Sequence, residues 1–399
     1  MYLASTRSPV SGRGGGQVAR TVFALGLVSL ITDVSSEMVS SVLPLYLVLG
    51  LGLSPWQFGF LDGVYSGVTA LVRVLGGHLA DRFGRLKLVA GVGYALSAVS
   101  KLGLLAAGAS PVALGAVLAV DRTGKGVRTA PRDALISLSS KPESLGRAFG
   151  VHRAMDTAGA LLGPLVAMGV LWVAVGRYDA VFVVSFCFAA LGVLALVVTV
   201  RDHEPGQARP APRVLLSLLR HKGLRRICAC AALLGLVTIS DSFLYLLLQR
   251  RWELAATYFP LLAMGTSVSY LLLAVPLGRL ADRIGRWPVF LGGHLALLAA
   301  LLLALGPWAG WPVLLLHGAF YAASDGVLMA ATSPLLPESQ RASGMAVVQT
   351  VQAAARSASS VLFGAAWTVW GPEVALAVIA VALAAAVGVT AVLRPVRGQ

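Results

Sequence analysis

Asparagine is absent from all 399 residues, which excludes N-linked glycosylation anywhere in the chain. Cysteine is scarce: Cys187, Cys228 and Cys230 lie in or beside apolar runs and share no metal-ligand spacing with histidine. They read as small packed residues. Charge is scarce too. Asp, Glu, Lys and Arg make up only 12% of the chain, against about 25% in a soluble domain. That leaves too little polar surface to cover a water-soluble globule. No phosphate-binding loop is present, and the glycine-rich stretch Gly12-Arg-Gly-Gly-Gly16 neither follows a strand nor opens a βαβ unit. Direct use of ATP is therefore not expected. No Ser-His-Asp or metal-ligand constellation stands out, so the chain reads as a non-enzyme without cofactor or metal.

What the chain has in abundance is long apolar runs. Hydrophobic residues make up 57% of it, and runs of the length that crosses a hydrocarbon core, about 20 residues, recur throughout. Twelve spans are predicted, at 21–49, 56–79, 87–108, 112–138, 146–175, 178–200, 224–249, 255–278, 288–306, 311–334, 342–368 and 373–393. The fourth is the weakest by hydropathy. The first is too long for the apolar core of a cleaved signal peptide. Trp56 and Trp311, near span ends, suit interfacial anchors.

Residues 1–20 are polar, glycine-rich and basic, and read as a cytoplasmic tail. Residues 201–222, rich in Pro and Arg, read as a cytoplasmic linker between a bundle at 21–200 and a second at 223–393, with a short tail at 394–399. The net charge of +15 follows from topology. With the N-terminus inside, the loop cations fall on the cytoplasmic side except Arg177, Arg250 and Arg251. The basic surplus thus needs no nucleic-acid partner, and the expected location is the cell's inner (plasma) membrane, with both termini cytoplasmic.

The halves resemble each other. Gly77-His-Leu-Ala-Asp-Arg-Phe-Gly-Arg85 returns as Gly278-Arg-Leu-Ala-Asp-Arg-Ile-Gly-Arg286, 201 positions later, with seven of nine residues identical. Gly26 to Asp33 and Gly235 to Asp241 also correspond, with one residue fewer in the second. Internal symmetry of this kind marks secondary transporters, whose substrate site lies between repeats near the bilayer midplane. Over residues 20–394 the chain resembles the major facilitator superfamily, whose loop motif is G-x-L-A-D-R-x-G-R. The resemblance implies an all-α fold of twelve transmembrane helices in two pseudo-symmetric six-helix bundles, functioning as a monomer. It also implies a cytoplasmic gate formed by Gly77, Asp81, Arg82, Gly84 and Arg85 and by Gly278, Asp282, Arg283, Gly285 and Arg286. Arg122-Thr-Gly-Lys-Gly126 resembles the family's fourth-helix R-x-x-x-G motif, whose Arg is linked to proton coupling. Gly159-Ala-Leu-Leu-Gly-Pro164 resembles the fifth-helix G-x-x-x-G-P motif of exporters, but Ala167 and Met168 stand where that pattern has glycines. The same spacing also serves plain helix packing.

Ionisable groups inside a membrane should face a cavity or a partner. Asp33 and Glu37 share one face of the first span with Ser29, Ser36 and Ser40, and two such carboxylates can trade a proton with a cavity. Asp121, Lys125, Arg128 and Arg132 lie within about one face of the fourth span, with Arg122 and Asp133 beside them. Six charges in thirteen residues cannot face lipid. Their cationic surplus suits either an anionic substrate or pairing with Asp33 and Glu37, which the sequence alone does not separate. Asp62 and Tyr65 mark a polar stripe on the second span, and His152, Arg153 and Asp156 another on the fifth. The second half offers Asp241, Asp325 and Arg356, and is expected to supply more of an apolar and aromatic wall.

The reading is a secondary transporter of a small solute working by alternating access, proton-coupled, with export favoured over import. Asp33, Glu37 and Arg122 are the coupling candidates. Arg128, Arg132, Asp133, Asp156, Asp241, Asp325 and Arg356 are the substrate or gate candidates. The alternatives are a proton-driven importer or uniporter of an anionic solute, and a transporter-like membrane receptor or assembly partner. Partners are a small molecule, protons and the lipid bilayer.

Overall fold

Each predicted span becomes helix because its backbone polar groups have no water to bond in a bilayer and must be satisfied within the segment. The computed structural model describes residues 20–83, 85–140, 145–200, 221–306, 310–336 and 341–393, and within them the side chains other than 70, 71, 73–83, 146, 325 and 341–343. The N-terminal tail before Arg20, the linker up to residue 220 and the C-terminal tail lie outside the described residues.

The first half comprises α1 (Arg20–Leu45), α2 (Pro55–Phe83), α3 (Leu86–Ala106), α4 (Pro111–Leu138), α5 (Leu145–Val173) and α6 (Tyr178–Thr199). The second comprises α7 (Lys222–Leu236), α8 (Asp241–Arg251), α9 (Pro260–Ile284), α10 (Arg286–Leu305), α11 (Trp311–Thr332), α12 (Arg341–Trp370) and α13 (Pro372–Val392). After Pro44, which cannot donate a backbone hydrogen bond, α1 continues as a π-helical turn over Tyr46–Gly50.

The span predicted at 224–249 is present as one apolar stretch, Lys222–Arg251, but its helix is interrupted: α7 ends at Leu236 and α8 restarts at Asp241. Ser240 is extended and caps α8, its hydroxyl accepting from the Ser242 amide at 3.3 Å. The freed Thr238 carbonyl accepts from the Ser359 hydroxyl of α12 at 2.8 Å. The break is thus stabilised by polar partners and sits well inside the bundle.

Packing repeats between the halves. α1 lies on α5 and α6, α2 on α4, and α3 on α4 and α6; in the same order α7 lies on α12 and α13, α9 on α11, and α10 on α11 and α13. Small residues set these approaches, as membrane helices require. A Cβ added to Gly124 would stand 2.5 Å from the Gly93 carbonyl oxygen, so α3 and α4 touch backbone to backbone. Outward faces carry exposed Val99, Leu194, Val198, Leu272 and Val381, a surface suited to lipid tails. Nine stretches of the described residues are long and apolar enough to cross a membrane by length and composition alone, and α4, with its six charges, is not one of them.

The two halves meet through α2 on α12 and α5 on α9. The α2–α12 seam is tight near the α1–α2 turn: a Cβ on Gly59 would lie 2.5 Å from the Ser360 carbonyl oxygen, and Trp56 donates its amide to Thr368 Oγ1 at 3.0 Å. Towards the opposite end, which carries both loop motifs, cavities separate the halves. At the second motif, Gly285 adopts φ 101, a value that strains any other residue, and so turns the chain from α9 into α10.

Candidate functional site

The charges of α4 do not form one unit, although they share roughly one face. Asp121 turns towards α3. Its Oδ1 accepts from Lys101 Nζ at 2.5 Å, Ser97 at 2.7 Å and Ser100 at 3.1 Å. Its Oδ2 accepts from Arg122 Nε at 2.9 Å and also from Nη2. All of these side chains are buried, and Lys101 is only 2% exposed. The Arg122 guanidinium lies 3.9 Å from the centre of the Tyr65 ring. Arg122, a coupling candidate, is thereby held from two sides.

Further along α4, the cations turn to α1 and α5. Arg128 reaches Asp33 at 3.4 Å and sits 4.4 Å from the Tyr94 ring centre. Lys125 reaches Glu37 at 3.7 Å, and Ser40 donates to Glu37 at 2.9 Å. Arg132 donates to Asp133 at 3.0 Å and Ser29 at 3.3 Å, and lies 3.7 Å from Asp156, which Arg153 approaches at 3.6 Å. His152 bonds Ser29 at 3.0 Å. Of the two roles open to the α4 cations, this geometry displays pairing with Asp33 and Glu37.

The pairs differ in access. Arg128 is 3% exposed as a side chain, whereas Glu37 and Lys125 are 33% and 30% exposed. Glu37 and Lys125 line two cavities at once. One, of about 490 Å³, lies against α2, α8, α9 and α11; the other, also about 490 Å³, runs past Asp33, Arg128, Arg132 and Asp156 to α5 and α9. A third cavity of about 460 Å³ runs past Asp62, Asp241 and Arg356 to Gln349 and Ala346 of α12.

The second half contributes a cluster at the helix break. Asp241, first residue of α8, accepts from the Tyr321 hydroxyl at 2.6 Å and lies 3.2 Å from His317 Nε2. His317 is fully buried, with Thr266 3.4 Å from its Nδ1. The Arg356 guanidinium stands 5.6 Å from the centres of both the Phe320 and Tyr321 rings. Asp62 crosses between the halves, accepting from Ser360 at 2.5 Å. The second half contributes Tyr245, Tyr270 and Tyr321 to the lining of the cavity against α2, α8, α9 and α11, while the apolar residues of that lining, Leu43, Leu47, Phe58 and Leu61 among them, come chiefly from the first half.

Two ion-pair partners, His317 and Lys101, were not singled out from the sequence. His317 looks like one polar residue in an apolar helix, although it stands one turn before Tyr321 and so shares its face. Lys101 lies in the third apolar run, and nothing in its spacing says that it meets Asp121. Asp325 lies outside the described side chains, as do Gly77, Asp81, Arg82 and Gly84 of the first loop motif, while Arg85 is exposed. In the second copy Asp282 and Arg283 are exposed and make no ion pair among the described residues; Arg286 donates to the Ala330 carbonyl of α11 at 2.6 Å. The fifth-helix motif packs α5 on α1: a Cβ on Gly159 would strike the Leu30 carbonyl, and one on Gly163 would lie 2.7 Å from Glu37 Cβ. Pro164 leaves the Ala160 carbonyl without its helical donor, and Ala160 lines the cavity against α5.

The sequence matches the profile of the Major Facilitator Superfamily over residues 25–268 and 242–399. An uncharacterized MFS-type transporter of Methanocaldococcus jannaschii is 29% identical over 369 residues, covering 90% of each chain. The Multidrug resistance protein MdtH of Photorhabdus laumondii is 28% identical over 168 residues, 42% of this chain and 39% of that one. Among solved structures, the nucleoside transporter NupG superposes with a TM-score of 0.77 at 15% identity, covering 94% of this chain and 98% of that one. At that identity the likeness speaks for the fold.

Proposed function

Since the chain belongs to the major facilitator superfamily and is a multi-pass secondary transporter of a small solute, we propose that it couples transport to protons and works in the export direction. The observation that carries the coupling is the Glu37–Lys125 pair. It is part-exposed at the junction of two cavities, whereas the arginines of α4, Arg122, Arg128 and Arg132, are buried. A proton taken up by Glu37 cancels its attraction for Lys125, so protonation and the charge presented to the cavity change together. Asp33, one turn away and held by Arg128, is the second carrier, and Arg122 sets the field beside them. Arg128, Arg132, Asp133 and Asp156 then act as the gate-side network that reorganises when the acids change charge.

Export is supported by the partial similarity to a multidrug resistance protein. The fifth-helix motif adds little, because its glycines are accounted for by packing on α1. The loop cations support an orientation with both termini cytoplasmic in the cell's inner membrane. In that orientation two of the cavities, past Asp133 and Arg153 and past Gln349 and Ala346, reach into the cytoplasmic half, the side from which an exporter loads.

The test is accumulation in proteoliposomes under an imposed pH gradient, across a panel of organic solutes. One proton per solute sustains about a tenfold concentration ratio per pH unit. Wild-type protein is expected to approach that ratio for at least one solute, and Glu37→Gln to fall to about unity while still equilibrating the solute. Accumulation that ignores the pH gradient, and is unchanged in both Glu37→Gln and Asp33→Asn, would overturn the coupling.

A further inference from the structure

We infer that the cavity bounded by α1, α2, α4, α8, α9 and α11 binds an organic cation, its positive head seated on the Asp241 carboxylate and its body among tyrosine rings. This rests on the transporter reading above and adds the charge of the substrate.

The first support is the half-occupied state of Asp241. Both of its close partners, Tyr321 and His317, use Oδ1. The side chain is nevertheless 40% exposed between the halves, lining this cavity and the one towards α12. A part-exposed carboxylate that two side chains hold through one oxygen is arranged to accept a ligand donor or face a fixed positive charge.

The second support is the charge around the cavity. Its lining holds three carboxylates, Glu37, Asp62 and Asp241, and two cations, Arg122 and Lys125. Both cations come from α4, and both already face an acid: Lys125 meets Glu37, and Arg122 gives two donors to Asp121. Behind the wall, Asp121 is shared between Arg122 and Lys101 and so answers the charge of only one of them. Asp62 is held by the Ser360 hydroxyl and makes no ion pair among the described residues. On the wall from α8, α9 and α11 the lining holds Asp241 and no cation. Arg356 acts on Asp241 from α12 but lines the neighbouring cavity. The lining thus nets one negative charge, which favours a cation over an anion beside Asp62 and Asp241, with Arg356 acting against it from the neighbouring cavity.

The third support is the lining itself. Phe58, Tyr65, Tyr245, Tyr270 and Tyr321 contribute to it, and such ring faces attract cations. The volume of about 490 Å³ suits a drug-sized body.

The experiment reads the sign of the cavity without knowing the natural solute. Cys187, Cys228 and Cys230 are replaced by Ser, and Ser242→Cys places one thiol in the lining. At pH 8 the reconstituted protein is labelled with trimethylammonioethyl or sulfonatoethyl methanethiosulfonate, each rate being divided by that of free cysteine. The cationic reagent is expected to react about tenfold faster or more, the range for a cleft lined by the opposite charge. Asp241→Asn should remove most of that preference and Asp241→Glu should keep it. Benzyltrimethylammonium should protect the thiol, and phenylacetate should not. Equal or faster labelling by the sulfonate, a preference that survives Asp241→Asn, or no labelling by either reagent would each overturn the inference. The preference in the unsubstituted-Asp241 protein decides the matter even if the Asn variant fails to fold. No pH gradient is applied, so a failure of proton coupling leaves these rates unaffected, and a failure here leaves the coupling test intact.

Discussion

Asp121→Asn is expected to leave little folded protein in the membrane. Asp121 sits between two cations from different positions, Lys101 of α3 and Arg122 of α4, and both are buried. Four side chains donate to it. Removing its charge strands two buried cations, and breaking a buried pair by deleting one partner costs about 3–5 kcal/mol. The neutral amide also offers one acceptor where a carboxylate offers two. Lys101→Met should be far milder, because it leaves Asp121 and Arg122 as a matched pair. The triple replacement Lys101→Met, Asp121→Leu, Arg122→Met should recover folding, since a packed apolar substitute for a buried charge cluster is often neutral or stabilising. Thermal unfolding of detergent-solubilised protein, followed by tryptophan fluorescence, separates these cases. An Asp121→Asn variant that melts with wild type would show that the cluster does not hold α3 to α4. The recovered triple variant should still fail in transport, having lost the Arg122 charge from the cavity wall.

The architecture was legible because its signals are local and repeated. Apolar length marked the spans, and the returning loop motif marked the halves. The break in the seventh span was not read, since Val237-Thr-Ile239 continues the hydropathy without Pro or Gly at the turn itself. The signal that could have found it is Ser240 before Asp241, a capping residue followed by an acid at a helix start. The α4 charges were found by number and grouped by face, but a face says only which way a side chain leaves its helix. Asp121 turns to Lys101 and Arg128 to Asp33, because α3 and α1 lie on adjoining sides of α4. Such partners are set by packing, which one sequence does not display. For the same reason His317 stayed hidden until α8 and α11 were seen side by side.

Gly59→Val is expected to abolish transport while leaving each half folded. Alternating access needs the halves to close at one end while they part at the other. At the end near the α1–α2 turn, closure depends on α2 and α12 touching through backbone. A Cβ on Gly59 would lie 2.5 Å from the Ser360 carbonyl oxygen, and one on Gly364 would lie 2.5 Å from the Pro55 carbonyl oxygen. Neither is a flexible side-chain end that could yield. Forcing extra methyl groups into such a contact costs about 1–3 kcal/mol, and about 1.4 kcal/mol shifts a two-state population tenfold. The penalty falls on the closed arrangement alone, since parted halves do not feel it. The carrier should then rest open at this end. A thiol at Ser360→Cys, buried in the seam against Gly59, should label about tenfold faster or more in the Gly59→Val background. Gly169→Val is the matched control: it adds the same bulk on α5, where an added Cβ meets nothing within 4 Å, and should transport as wild type does. Full transport by Gly59→Val, with unchanged labelling at position 360, would mean that the tight seam is one arrangement among several rather than a stop in the cycle. Loss of transport with faster labelling would identify the Gly59–Gly364 contact as the surface on which the two halves close.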